Sequence, residues 1–154
     1  MSAAELKAET QDIVLDEVLP HATATVWKAL TSAQLIARWL MPPTGFEAVE
    51  GNTFTFQIKP AGAWNGVIHC KVLEVVPNRR LAYAWKSGHE GNTGYGALLD
   101  TVVTWSLTSV EAGTHLSLVH SGFVTPRNEL AYRNMSEGWA KILRQLDAVS
   151  GEIK

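Results

Sequence analysis

The stretch YRNMSEGWAKILRQLDAV at residues 132–149 decides the fold. Its large apolar side chains recur every three or four residues, at Tyr132, Met135, Trp139, Ile142, Leu146 and Val149. Because an α-helix has 3.6 residues per turn, this spacing places them on one seam along about five turns. The seam predicts a long amphipathic helix whose apolar side packs on another layer. Thr125 and Pro126 are expected to supply its N-cap and first turn.

Gly138 lies in the middle of this predicted helix, next to Trp139. A glycine inside a helix costs about 1 kcal/mol relative to alanine, so the position needs a structural reason. Close approach of the helix to a sheet is one reason, and room for a ligand is another.

The residues before the helix predict an antiparallel sheet of about six strands. Alternating apolar and polar residues indicate strands with one buried face. The expected strands are 12–19, 53–58, 67–76, 81–85, 102–107 and 115–120, and two short helices at 23–30 and 32–41 follow the first strand. A change of the apolar register near Val72 and Leu73 predicts a β-bulge. The fold class is therefore α+β, with a curved sheet wrapped around the long C-terminal helix and space for a cavity between them.

Residues 87–100 form a long glycine-rich connection between two predicted strands, with glycine at 88, 91, 94 and 96. Connections of this length are uncommon unless they are functional or disordered. A mobile lid over a pocket and a plain hairpin tip are both consistent with the pattern.

Composition and charge restrict the class of protein. The chain has 154 residues, of which 46% are apolar and 18% charged, and its formal net charge is −2, as expected for a single globular domain over 1–154. The longest basic run is Arg79-Arg80, so no surface for nucleic acid is predicted. Residues 1–11 are polar, lack the pattern of a secretory signal and are expected to be a flexible N-terminus. With no apolar stretch long enough to span a membrane, a cytoplasmic location is expected.

Five short segments follow one another along the chain: ATVWKAL at 24–30, ARWLMP at 37–42, VVPNRRLAYAW at 75–85, GTHLSLVHSGF at 113–123 and GWAKILRQL at 138–146. Together they resemble the START-like (SRPBCC) superfamily, in the branch named after the C-terminal domain of the Hsp90 ATPase activator. The resemblance implies a helix-grip fold with a hydrophobic ligand cavity between the sheet and the long helix. The chain departs from the family pattern at Leu40, where a second tryptophan is frequent, and at Asn52, where a Gly-Gly pair is frequent.

The six tryptophans are distributed over nearly all predicted elements, as the walls of an apolar cavity would require. Trp27 is expected in the core, and Trp64 lies in a turn, where an exposed tip, a cavity mouth and a contact in a homodimer are all open. Trp105 fits the core as well as the cavity. The residues expected to contact a ligand are Trp39, Phe56, Tyr83, Trp85, Trp105, Leu118, His120, Met135, Trp139 and Ile142.

His120 is the one candidate catalytic residue. It shares a strand face with Leu116 and Leu118, which the helix must cover, so a group that titrates near neutral pH would face the cavity. A core histidine that bonds Tyr83, a tryptophan or a backbone carbonyl is the alternative interpretation.

Other chemistry finds little support in the sequence. Adjacent residues on a strand point to opposite faces, so His69 and Cys70 cannot share a metal, and no metal site is predicted. Cys70, the only cysteine, excludes an internal disulfide and is expected to be a packed thiol. No nucleophile elbow, phosphate loop or dinucleotide fingerprint is present, so no cofactor is expected.

These observations support three functions. The first is a non-catalytic carrier of a small hydrophobic molecule, for example an aromatic compound, a lipid or a polyketide. The second is an enzyme of the cyclase, dehydratase or hydrolase type, with His120 as acid or base. The third, which rests on the family name, is an accessory to an Hsp90-type chaperone.

Overall fold

The computed structural model describes residues 9–153. Over this range the chain forms six strands and three helices: β1 (Glu9–Leu19), α1 (Thr23–Thr31), α2 (Ala33–Trp39), β2 (Thr53–Gln57), β3 (Val67–Val76), β4 (Arg80–Ser87), β5 (Leu99–Val110), β6 (Gly113–Thr125) and α3 (Glu129–Glu152). The predicted α+β fold, a curved antiparallel sheet with a long C-terminal helix, is confirmed. None of the helices in the described range is long and apolar enough to cross a bilayer.

The strands are ordered β1-β6-β5-β4-β3-β2, and all neighbours are antiparallel. The first two strands of the chain therefore lie at opposite edges of the sheet. The segment with α1 and α2 carries the chain from one edge to the other, while β2 to β6 follow one another as neighbours. The segment crosses one face of the sheet, and the helices cover that face.

The predicted alternation of faces is observed along the central strands. In β5, Val103, Trp105 and Leu107 are buried on the face of the sheet that the helices cover. In β6, Leu116 and Leu118 are buried in the same way. The predicted bulge in β3 is also present, as a shift of the pairing with β4 between Val72 and Glu74.

Several boundaries differ from the sequence prediction: β4, β5 and β6 are longer than predicted and α2 is shorter, and the starts of β1 and α3 differ as well. The first strand begins at Glu9, and residues 9–11 pair with 123–125 of β6, so this part of the predicted flexible N-terminus is strand. Residues 1–8 of that segment lie outside the described residues.

The start of α3 also differs. The helix begins at Glu129, with Asn128 rather than Thr125 at the cap position. The Asn128 side chain accepts a hydrogen bond from the Val124 N–H at 2.9 Å and donates one to the Leu98 carbonyl at 2.8 Å. It thereby fixes the entry of α3 to the strand that precedes it and to the chain before β5.

The C-terminal half of α3 is held against the start of the helical segment. His21 Nε2 lies 2.6 Å from Asp147 Oδ1, and Arg38 donates to Glu152 at 2.8 Å. Both contacts join α3 to the segment between β1 and the end of α2. The N-terminal half of α3 is left to cover the other end of the sheet.

Candidate ligand-binding cavity

A cavity of about 260 Å³ lies between the N-terminal half of α3 and one end of the sheet. This is the end where β2 and β4 finish and where β3 and β5 begin. The volume lies just below the usual range for small-molecule sites, so it suits a small ligand.

Apolar side chains form most of the cavity wall. The wall residues on α3 share one helical face: Leu130, Ala131, Asn134, Met135, Gly138, Trp139 and Ile142. The sheet and the segments next to it contribute Leu40, Met41, Ile58, Trp64, Ile68, Trp85, Ser87, Gly94, Tyr95, Gly96, Ala97 and Leu99. No carboxylate, ammonium, guanidinium or imidazole group is among them. An environment of this kind disfavours a charged ligand, because nothing would offset its loss of hydration.

Gly138 borders open space on the cavity side of α3. A Cβ atom added at this position would meet no heavy atom within 4 Å outside the local helix backbone. Close packing on the sheet is therefore not the reason for the glycine. Of the two reasons that the sequence offered, room next to the helix is the one that fits.

Two loops cover the cavity, and we call residues 59–66 and 88–97 together the roof. The Asn92 side chain joins them, since its Nδ2 donates to the Ala61 carbonyl at 2.7 Å and its Oδ1 accepts from the Ala63 N–H at 3.1 Å. A Cβ on Gly62 would lie 2.5 Å from Asn92 Oδ1, so only glycine permits this approach. The glycine-rich connection thus lies where a lid over the cavity would have to lie.

Aromatic rings strengthen the same junction. The ring of Tyr95 lies 6.2 Å from that of Trp64, and its hydroxyl donates to the Lys59 carbonyl at 3.2 Å. Trp64 is buried, and its indole N–H donates to the Val67 carbonyl at 2.9 Å. Trp64 is itself part of the roof and borders the cavity, so of the alternatives open for it in the sequence the exposed tip is wrong.

The structure divides the ten residues expected to contact a ligand into two groups. Four of them border the cavity: Trp85, Met135, Trp139 and Ile142. The other six lie in the packed core and do not border it: Trp39, Phe56, Tyr83, Trp105, Leu118 and His120. All six point to the helix-covered face of the sheet or lie beneath it, as their periodicity predicted, but other side chains fill the space next to them.

Hydrogen bonds and ring contacts explain why the large core residues stay away from the cavity. Trp39 donates to the Ala29 carbonyl at 2.8 Å and packs edge-on against Trp105 at 5.5 Å. Trp105 in turn donates to the Tyr83 hydroxyl at 3.0 Å. Phe56 packs under Trp85 with ring centroids 5.6 Å apart. The indole N–H groups of Trp39 and Trp105 therefore have their hydrogen-bond acceptors inside the core.

His120 lies one layer below the cavity wall, in a chain of hydrogen bonds. Trp139 Nε1 donates to His120 Nδ1 at 3.0 Å, which leaves the proton of the neutral ring on Nε2. His120 Nε2 then donates to Thr101 Oγ1 at 2.7 Å, and Thr101 Oγ1 donates to the Trp85 carbonyl at 2.9 Å. Both ring nitrogens are occupied, as expected for the core-histidine interpretation with a tryptophan partner.

Burial also changes the titration of the core groups. It lowers the pKa of His120 to about 3, because a charged imidazole would lose its hydration. It raises the pKa of the Cys70 thiol to about 12 and that of the Tyr83 phenol well above its usual range. At neutral pH all three groups are uncharged, so Cys70 is a packed thiol and not a nucleophile.

The other histidines and acids do not form a metal site within residues 9–153, where no three His, Cys, Asp or Glu side chains converge. His69 is exposed on the outer face of the sheet while Cys70 is buried on the inner one. His115 lies on the outer face too, 3.2 Å from Asp16.

Sequence reasoning missed several wall residues as site residues. Leu40 and Met41 follow α2, and the stretch Gly94–Ala97 lies in the roof, so neither has a periodic pattern that would assign it to a face. Trp64 was missed for the same reason, because it lies in a turn, where no periodic pattern assigns a residue to a face. The glycine in the middle of α3 and the glycine-rich connection were the signals that pointed to this end of the molecule.

Comparison with solved structures shows the same fold in bacterial proteins. Protein MLL2253 from Mesorhizobium loti is 32% identical, with a TM-score of 0.80, and the match covers 94% of this chain and 99% of that chain. CalU16 from Micromonospora echinospora is 27% identical, with a TM-score of 0.69, and the match covers 92% and 77%. CV1439 from Chromobacterium violaceum is also 27% identical, with a TM-score of 0.68, and the match covers 90% and 96%. No curated protein matches significantly.

A family model described as "Activator of Hsp90 ATPase homolog 1-like protein" matches residues 21–151. The match includes α1, α2, five of the six strands and nearly all of α3. The resemblance inferred from the five sequence segments is confirmed, and the chain belongs to the Hsp90 ATPase activator homolog 1-like family.

Proposed function

We propose that the protein binds a small, uncharged, hydrophobic molecule, with an aromatic one fitting best, in the cavity between α3 and the sheet. Gly138 is the observation that carries the proposal. Alanine would fit there without a clash and would stabilise the helix by about 1 kcal/mol. A helix with only a packing role would gain from alanine, whereas a helix that forms one wall of a binding site gains from the free space.

The composition of the wall supports an aromatic ligand. Trp64 in the roof, Trp85 on β4 and Trp139 on α3 all border the cavity. Aromatic pairs contribute beyond the area that they bury when their rings meet offset or edge-on. A cavity of about 260 Å³ has room for a compound of about two or three fused rings.

Catalysis by His120 is not part of the proposal. Its two nitrogens already bond Trp139 and Thr101, and its pKa of about 3 leaves it a weak base. The ring is fully buried and does not border the cavity. A bound ligand would have to displace Trp139 before it could exchange a proton with His120.

The test is to fill the cavity from the helix side. Gly138→Leu places a branched side chain in the open space, and we expect it to abolish binding of the planar probe 9-fluorenone. Binding is measured by calorimetry and by saturable quenching of tryptophan fluorescence, and circular dichroism checks that the variant folds.

Ala148→Leu is the matched control. Ala148 is exposed on the same helix and does not border the cavity, so this variant should bind like the wild type. If 9-fluorenone and a panel of other planar compounds give no saturable signal with the wild type, the proposed function is wrong. Equal binding by Gly138→Leu and the wild type would place the ligand elsewhere on the protein and would also contradict it.

A further inference from the structure

Three indole N–H groups belong to the cavity wall, and two of them already have acceptors. Trp64 donates to the Val67 carbonyl and Trp139 donates to His120. Trp85 Nε1 makes no hydrogen bond with any residue between 9 and 153, and the tryptophan N–H bonds of that range belong to other residues.

The Trp85 N–H is nevertheless not sealed in the core. In the described part of the chain, Ser150 Oγ is the one fully enclosed side-chain nitrogen or oxygen that lacks a partner. Trp85 Nε1 therefore reaches accessible space, although only 3% of the residue is exposed. Trp85 borders the cavity, and we infer that its N–H opens into it.

Neighbouring rings hold the Trp85 indole in place. Phe56, His120 and Trp139 lie 5.6, 5.7 and 6.0 Å from it, measured between ring centroids. The Trp85 carbonyl accepts a hydrogen bond from Thr101, which anchors its backbone. A donor fixed in this way loses little conformational freedom when a ligand binds, so its contribution to affinity is retained.

We propose that the Trp85 N–H selects ligands that carry a hydrogen-bond acceptor at the inner end of the cavity. The ligand class is then planar, uncharged aromatic compounds with a carbonyl oxygen, an ether oxygen or a ring nitrogen, in preference to plain hydrocarbons. This inference rests on the proposed function. Of the other polar side chains of the wall, Asn134 and Tyr95 are exposed, and Tyr95 already donates to the Lys59 carbonyl, whereas Ser87 contributes a half-buried hydroxyl at the end of β4.

The experiment compares 9-fluorenone with fluorene, which has the same ring frame and a methylene group in place of the carbonyl. The dissociation constants of both compounds are measured for the wild type and for Trp85→Phe. The ratio of the two dissociation constants is compared between the two proteins, so that the difference in hydration between 9-fluorenone and fluorene cancels. We expect the preference for the ketone to fall roughly three- to tenfold in Trp85→Phe, the effect of one neutral hydrogen bond.

Trp64→Phe is the matched control, because its N–H is already bound to a backbone carbonyl. It should change both dissociation constants by a similar factor and leave their ratio unaltered. If Trp85→Phe unfolds, benzothienylalanine at position 85 replaces the N–H by sulfur and keeps the shape of the ring. In the wild type, 9-fluorenone should move the indole ¹H–¹⁵N resonance of Trp85 further downfield than fluorene does.

The outcomes separate this inference from the proposed function. An unchanged ratio at position 85, with both compounds still excluded by Gly138→Leu, would overturn the role of Trp85 and leave the binding function intact. Absence of binding of either compound to the wild type would overturn both.

Discussion

The two halves of α3 meet the sheet in different ways. In the C-terminal half, Leu143 and Leu146 are fully buried. In the N-terminal half, Leu130 and Met135 remain half-buried because they border the cavity. The apolar spacing is the same along the whole helix. Spacing therefore selects the face that turns inward, while the size of the opposing residues decides whether the space is filled.

The opposing residues differ as this argument requires. Large rings such as Trp39 and Trp105 fill the packed core, where both are almost fully buried. The residues around the cavity include Gly94, Gly96 and Gly138, which contribute no side chain. The cavity is therefore explained by a few glycines at one end of the interface between α3 and the sheet, where side chains that would fill the space are missing.

The largest expected effect contrasts one leucine from each half of α3. Leu146→Ala should lower the free energy of unfolding by about 2 to 5 kcal/mol, because it leaves a new void in a packed region. Leu130→Ala should lower it by about 1 kcal/mol or less, because this side chain is half-exposed next to existing space. Urea denaturation of both variants measures the difference. Equal losses would mean that the two halves are packed alike.

A smaller effect concerns pH, and it probes the core beneath the cavity wall. In the unfolded chain His120 has a pKa of about 6.5, whereas in the folded protein it is about 3. As the pH falls below 6.5, the unfolded state takes up a proton that the folded state does not. The free energy of unfolding should therefore fall by up to about 1.4 kcal/mol per pH unit between pH 6 and pH 4 on account of this residue.

His120→Gln should remove this contribution, so its stability should depend less steeply on pH than that of the wild type. His69→Gln, which changes an exposed histidine on the outer face, is the control and should retain the wild-type slope. Chemical denaturation at a series of pH values gives the slopes. Identical slopes for the wild type and His120→Gln would show that His120 titrates in the folded protein much as it does in the unfolded chain.

The smallest expected effect is a gain in stability. Gly138→Ala should raise the free energy of unfolding by about 1 kcal/mol while it weakens binding of 9-fluorenone. Gly151→Ala on the same helix should gain less, because its Cβ would lie 3.4 Å from His21 Cε1. Thermal unfolding and calorimetry report the two quantities. A loss of stability in Gly138→Ala would show that the space beside this glycine is not free.

The sequence predicts the fold well because the fold depends on periodic patterns. The seam of α3, the buried faces of β5 and β6 and the bulge at Val72 all follow from spacing. The start of α3 does not, because Asn128 at its cap position donates to the carbonyl of Leu98, which is a tertiary contact between residues distant in sequence.

The site is predicted less well, since periodicity gives a face and not the volume beside it. Trp39 and Trp85 both belong to the layer between sheet and helices, yet Trp39 is enclosed by the core and Trp85 borders the cavity. Trp64 also belongs to the cavity wall, but it lies in a turn, where apolar residues have no helical or strand spacing. Only the glycines, which mark missing volume, carried information about where the layer is hollow.

The pairing of β1 with β6 has a consequence for the synthesis of the chain. Glu9 pairs with Thr125 and Leu19 with Thr114, so β1 has no partner strand until β6 has been synthesised. Chains grow at about 5 to 20 residues per second, and contacts between distant residues form slowly. The apolar residues of β1 therefore stay unpaired while the elements between β1 and β6 are made, which exposes this strand to aggregation during synthesis.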